Sequence, residues 1–290
     1  MEKVTSYLSL IKFSHTIFAL PFAAIGFFIG TRAVGFELLD FKLLLLVLIC
    51  MITARNAAMA FNRWADQEID KKNPRTQSRE IPAGIITSKH ALIFVIINSI
   101  LFVLSAFFIN ILCLLLSPIA LLIILGYSYT KRFSWLCHVF LGLGLSLAPI
   151  GAYLAVTGHF HVLPILYSVA VICWVAGFDI IYALQDIKFD QDQHLLSIPS
   201  KFGLSKALVV SSCLHVICAI SIMIGAWMLH REFGLSYLMF AGSFCFVGLL
   251  ITQHILIGKG DLSKINLTFF TTNGIASVLL AAGTILDFYF

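Results

Sequence analysis

The chain has 290 residues, of which 60% are hydrophobic and only 11% charged, with a mean hydropathy of +0.99 and a formal net charge of +5. A soluble globular chain carries about 25% charged residues. The composition therefore excludes a water-soluble protein and places the chain in a lipid bilayer, and no nucleic-acid partner is expected.

A spanning helix needs about 20 mostly apolar residues. Nine runs qualify in chain order, at 13–33, 41–63, 90–109, 111–129, 134–156, 162–184, 206–230, 236–257 and 266–287. Backbone groups in hydrocarbon must be satisfied within their own segment, and the alternation of a membrane barrel is absent, so these runs predict helices. The expected fold is an all-α integral membrane protein of about nine transmembrane helices around a central cavity, forming one domain over 1–290. The first run differs from a signal peptide in its length and in lacking a small-residue cleavage site.

Positive charge stays on the cytoplasmic side of a membrane. With the N-terminus inside, fifteen Lys and Arg fall on the inner side and three (Arg32, Lys42, Arg231) outside, with Arg55 within a span. The expected location is a bacterial cytoplasmic membrane, multi-pass, with the N-terminus and the long loops cytoplasmic. The seven cysteines lie in or beside apolar runs and form no C-x-x-C pair, so they read as small packing residues rather than a zinc site. His159 and His161, in an outward loop with no third ligand, do not read as a metal pair.

Two connections are long, at about 64–89 and 185–205, and the acids gather in or just before them: Asp66, Glu68, Asp70, Glu80, Asp179, Asp186, Asp190 and Asp192. Each segment runs from an apolar helix into D-x-x-x-D, then a charged stretch, then Ile-Pro (Ile81-Pro82, Ile198-Pro199) and back into helix. The repeat predicts two similar helical units whose acidic ends face one another, as repeated membrane folds often arrange their sites.

Asn62, Asp66 and Asp70 recur at i, i+4 and i+8, which stacks them on one helix face; Asp186 and Asp190 repeat the spacing, with Asp179 seven residues upstream. Carboxylates so placed repel each other, and near a bilayer they are costly to desolvate. A bridging cation is implied. Oxygen donors without paired His or Cys select a hard cation, and magnesium fills its remaining positions with phosphate oxygens and water. The alternative for a single segment is a helix-end charge offset by Lys71, Lys72, Arg75 or Lys188; two matched segments argue for metals clamping a diphosphate.

These segments, Asn62-Arg63-x-x-Asp66-x-x-x-Asp70 and Tyr182-Ala183-Leu184-Gln185-Asp186-Ile187-Lys188-Phe189-Asp190, resemble the paired aspartate motifs of the UbiA family of intramembrane prenyltransferases. The resemblance spans the chain. It implies Mg2+ as cofactor, with Asn62, Asp66, Asp70, Asp179, Asp186 and Asp190 as metal ligands and Asp66, Asp70, Asp186 and Asp190 as the catalytic acids. It also places a basic residue at Arg55, with Asp179 as the expected partner, a Tyr/Lys pair at Tyr127 and Lys131, and, loosely, a basic position near the acceptor at Lys12. The alternative for Tyr127 and Lys131 is an interfacial aromatic belt with anchoring cations. Arg75 and Arg79 suit a diphosphate clamp by paired hydrogen bonds, or are ordinary inner-side charges.

Two positions depart from the family pattern. Arg63 stands where the motif has its first Asp. One residue is about 100° around a helix, so position 63 is expected to point away from the Asn62–Asp66–Asp70 face and the site to work with Arg63 in place. His194 stands where related sequences of this subgroup have Gly.

The implied partners are a polyprenyl diphosphate, a small aromatic acceptor and the lipid bilayer. The implied chemistry is ionisation of the diphosphate to an allylic cation and attack by an electron-rich ring carbon, in an apolar cavity open sideways to lipid. A 4-hydroxybenzoate-like ring, for ubiquinone or menaquinone synthesis, fits the A-M-A-F-N-R and S-H-T-I-F-A-L-P-F-A stretches by resemblance. A 1,4-dihydroxy-6-naphthoate, haem O or lipid-ether substrate stays open. An ion-coupled transporter is the rival class, but it would hold its carboxylates near the bilayer midplane, whereas of Asp66, Asp70, Asp179, Asp186 and Asp190 four lie at one edge.

Overall fold

The computed structural model describes residues 2–11, 18–35, 40–258, 262–265 and 267–290, and these are helical with connecting turns. The helices are α1 (Glu2–Leu10), α2 (Leu20–Ala33), α3 (Phe41–Ala65), α4 (Gln67–Lys72), α5 (Ser88–Ile109), α6 (Ile111–Thr130), α7 (Cys137–Thr157), α8 (Val162–Ala183), α9 (Ile187–Asp192), α10 (Ile198–Phe233), α11 (Tyr237–Ile257) and α12 (Asn273–Leu286). Eight segments among the described residues are long and apolar enough to cross a membrane, and α2 is a shorter apolar helix. The later eight expected runs each match one of the eight segments, and the first is represented by α2.

The apolar surface faces outward as well as inward. The most apolar windows of α5 and α6 are only 22% and 17% buried, and Phe107, Phe108 and Leu122 are exposed. Water would oppose such a surface, whereas lipid is its natural solvent. The chain is a multi-pass membrane protein.

It divides into two compact units, one of Met1–Thr16 with Asp40–Tyr129 and one of Ile17–Leu39 with Thr130–Phe290. In the first, α3 packs along α5, with Leu10, Ala57, Ala60, Ile81, Ala91 and Val95 in the core. Ala57 and Ala60 are fully buried, and small residues on one face of α3 let the helices approach closely. Asp40 starts α3 by accepting from the Leu43 N–H, and Thr87 starts α5 by accepting from the His90 N–H.

In the second unit α8 is the central element, packed by α7 and α10, while α2 lies on α7 and α12 on α11. Trp174 of α8 packs against Phe22 in a tilted and Phe178 in an edge-on contact, each with ring centroids 5.2 Å away. Its indole N–H donates to Asn273 Oδ1 at 2.9 Å, which also accepts from Gln253 at 2.7 Å. Asn273 begins α12 directly after a π-helical turn, Leu267–Thr272. The α11–α12 contact depends on glycine, because a Cβ at Gly283 would lie 2.4 Å from the Leu238 carbonyl oxygen and one at Gly242 2.7 Å from that of Leu279. The 36-residue α10 is broken near its start by Gly203, at φ 77° and ψ 174°, a conformation open to glycine.

Candidate active site

The first acidic segment is built on a break in a helix. α3 ends at Ala65, Asp66 sits at φ −96° and ψ 4°, and α4 follows. That bridge region is sparsely populated and is frequent at active sites. The hydrogen-bond ladder nevertheless continues through the break: the Asp66 N–H donates to Asn62 O at 3.0 Å and the Asp70 N–H to Asp66 O at 2.8 Å. Asn62 and Asp66 meet across one turn, with Asn62 Nδ2 donating to Asp66 Oδ2 at 3.2 Å. Asp66 and Asp70 are 2% and 4% exposed, which is unusual for carboxylates unless they are paired or bind a cation.

The following loop closes on Asp70. Arg79 Nη1 donates to both carboxylate oxygens, at 2.7 and 2.8 Å, and Thr76 Oγ1 donates to the Asp70 carbonyl at 3.2 Å. Arg75 is exposed, with its backbone N–H held by Asn73 Oδ1 at 2.9 Å. Of the two arginines read as clamp residues, Arg79 is thus engaged with an acid of its own segment. Arg55 lies partly buried two turns before Asn62, and Tyr127 of α6 is within electrostatic reach of both Arg55 and Arg63.

The second segment repeats the construction. α8 ends at Ala183, a 3-10 turn covers Leu184–Asp186, Asp186 has φ −107° and ψ 6°, and the six-residue α9 follows. Asp70 and Asp190 are each the fourth residue of the short helix after the break. Each is also held by the returning loop: Ser197 Oγ donates to Asp190 Oδ2 at 3.0 Å, and the Leu195 N–H to the Asp190 carbonyl at 2.8 Å. Ser197 also caps α10 in a reciprocal box with Ser200. The Leu196 N–H donates to the Lys131 carbonyl at 2.7 Å, and Lys131 and His138 lie within electrostatic reach of Asp190.

Asp179, one face-repeat before Asp186, has a partner that the sequence does not announce. Its Oδ2 is 2.7 Å from His138 Nδ1, across 41 residues of chain. His138 is 3% exposed in the first turn of α7. An ionisable residue inside an apolar span was the available signal, but only packing of α7 on α8 identifies the partner. His194 has φ 53°, the positive-φ non-glycine among the described residues. Glycine suits that conformation, which gives the departure at this position a physical meaning: the loop keeps a glycine-type turn without the glycine.

Arg63 departs from the expectation for its position. It is 5% exposed, and the charges around it are Arg79, Asp70 and Glu80. Measured from Asn62 the position is off the face, but it stands three residues before Asp66 and seven before Asp70, both same-face spacings. Lys12 lies outside the described residues.

The donor set fits a hard cation. Asn62, Asp66 and Asp70 in one segment, and Asp186 and Asp190 in the other, offer oxygen donors. Among the described residues no three His, Cys, Asp or Glu gather into a metal cage; the side-chain donors each segment offers are oxygens, the kind a hard cation takes.

Fold and site together define a helical intramembrane protein with two matched aspartate segments. The sequence profile of the UbiA prenyltransferase family matches residues 19–275, and the chain belongs to that family. It is 30% identical over 248 residues to a 4-hydroxybenzoate octaprenyltransferase from Nitrosomonas eutropha, covering 86% of this chain and 85% of the relative. It superimposes on the apo structure of a UbiA homolog from Aeropyrum pernix K1 with a TM-score of 0.83 at 31% identity, over 94% of this chain and 98% of that one. The fold is also that of a UbiA homolog from Archaeoglobus fulgidus bound to DMAPP and Mg2+, with a TM-score of 0.69 at 22% identity over 98% and 99% of the two chains.

Proposed function

We propose that this protein transfers a polyprenyl group from its diphosphate to an aromatic acid of the 4-hydroxybenzoate type, with magnesium. The twin construction carries the reading: Asp66 and Asp186 occupy the same bridge-region break, each followed four residues later by an aspartate held by its return loop. Two breaks of one design, each costly to maintain, are the signature of a repeated ligand site. The name of the Nitrosomonas relative and the ligands of the Archaeoglobus homolog support the substrates.

In the reaction the C–O bond to the diphosphate breaks, a ring carbon bonds to the prenyl carbon, and the ring loses a proton. Asp66, Asp70, Asp186 and Asp190, with Asn62 and Asp179, would hold magnesium, which supplies charge stabilisation for the leaving diphosphate. Burial of Asp66 and Asp70 strengthens their pull on a cation, because water competes less in a low dielectric. His138 fixes one carboxylate orientation of Asp179 through Nδ1. Asn62 does the same for Asp66.

The acceptor is decided by incubating membranes that contain the protein with magnesium, a labelled polyprenyl diphosphate and one candidate acid at a time. Transfer to 4-hydroxybenzoate is expected. Transfer to 1,4-dihydroxy-6-naphthoate alone would contradict the acceptor assignment while leaving the reaction type in place.

A further inference from the structure

Arg63 is a buried cation whose neighbouring acids, Asp70 and Glu80, each hold another partner. Its Nε is buried with no hydrogen-bond partner among the described residues. Both oxygens of Asp70 are engaged by Arg79, and Glu80 accepts from Ser9. A guanidinium cannot shed its proton to escape this environment, and an unpaired buried charge is costly and marks a functional site by default. What it lacks is an oxyanion. Arginine suits phosphate oxygens, offering five N–H donors in a planar fork.

We propose that Arg63 is a phosphate-oxygen ligand that binds the diphosphate of the prenyl donor directly, beside Asp66 and Asp70. The inference rests on the prenyl-transfer reading above and adds to it a binding residue at the position that departs from the family motif. Its helical spacing places it on the acidic face, three residues from Asp66 and seven from Asp70. A cation fixed in the chain does not depend on dissolved metal. Part of the affinity for diphosphate therefore survives removal of magnesium.

The test titrates inorganic pyrophosphate into the purified full chain in neutral detergent, with and without magnesium, reading binding by calorimetry. Wild type binds pyrophosphate measurably under chelator. Arg63→Met weakens that binding at least tenfold and raises KM for the prenyl diphosphate more than it lowers kcat, with the melting temperature little changed. Arg63→Lys retains charge without the fork and falls between. Unchanged pyrophosphate affinity in both variants overturns the proposal, as does a lowered melting temperature with unchanged KM, which would make Arg63 a balancing charge for Asp70 and Glu80. Phosphatidylglycerol added to the detergent separates a lipid headgroup from a diphosphate: an Arg63-dependent response to the lipid but not to pyrophosphate also overturns it. If Asp66→Asn still transfers prenyl groups normally, it is the reaction assignment that fails, whatever Arg63 binds.

Discussion

Asp66→Asn and Asp186→Asn are each expected to abolish prenyl transfer while leaving the protein inserted and folded. Each change keeps the shape and one oxygen donor but removes the negative charge that a magnesium ion requires. Metal stabilisation of a leaving diphosphate is worth several kcal/mol, and about 1.4 kcal/mol is tenfold in rate, so a loss of roughly a thousandfold or more follows. Both residues sit at the break between a spanning helix and a six-residue helix, so no regular helical hydrogen-bonding pattern depends on their side chains. As mere helix-end charges, neutralising either would relieve repulsion from Asp70 or Asp190 four residues on and leave activity unchanged. Transfer assays on equal amounts of folded protein decide between the two, and near-normal turnover by either variant would sink the assignment.

Arg79→Met is expected to cost both stability and turnover. Arg79 gives one nitrogen to both oxygens of Asp70, which is 4% exposed. Its loss leaves a buried carboxylate unsatisfied, a penalty on the order of 2 kcal/mol given that the arginine side chain itself is partly exposed. The loop carrying Thr76 and Arg79 would then lose its hold on Asp70, and turnover should fall at least tenfold. Arg79→Lys keeps the charge and should recover part of both. Thermal unfolding in detergent is the measurement that separates the roles. A large loss of turnover with an unchanged melting temperature would place Arg79 on the substrate rather than on Asp70.

Much of this fold is written in the sequence because lipid imposes a coarse code. Runs of about 20 apolar residues have few structural options in hydrocarbon, and the later eight expected runs each match a segment long enough to cross the membrane. The spacing Asn62, Asp66, Asp70 was legible for a similar reason, since i, i+4 geometry is local. The break at Asp66 was not, because no glycine or proline marks it and the backbone hydrogen bonds run through it. Asp179 with His138 was beyond reach as well: the pairing joins two helices, and periodicity within either one says nothing of its neighbour's register. At Arg63 the one-residue rotation rule misleads for a subtler reason. A face defined by one residue is about 100° from the next position, yet the i+3 and i+7 relations to Asp66 and Asp70 bring it back. Burial at 5% exposure, with Asp70 and Glu80 within electrostatic reach, sets Arg63 beside the acidic segment.

Magnesium-dependent prenyl transfer is tested most directly by removing the metal from the wild-type chain. Membranes containing the protein, a labelled polyprenyl diphosphate and 4-hydroxybenzoate should form prenylated acid with magnesium present, lose that activity when divalent cations are chelated, and regain it when magnesium is added back. Product formation that continues undiminished under chelation would contradict the account.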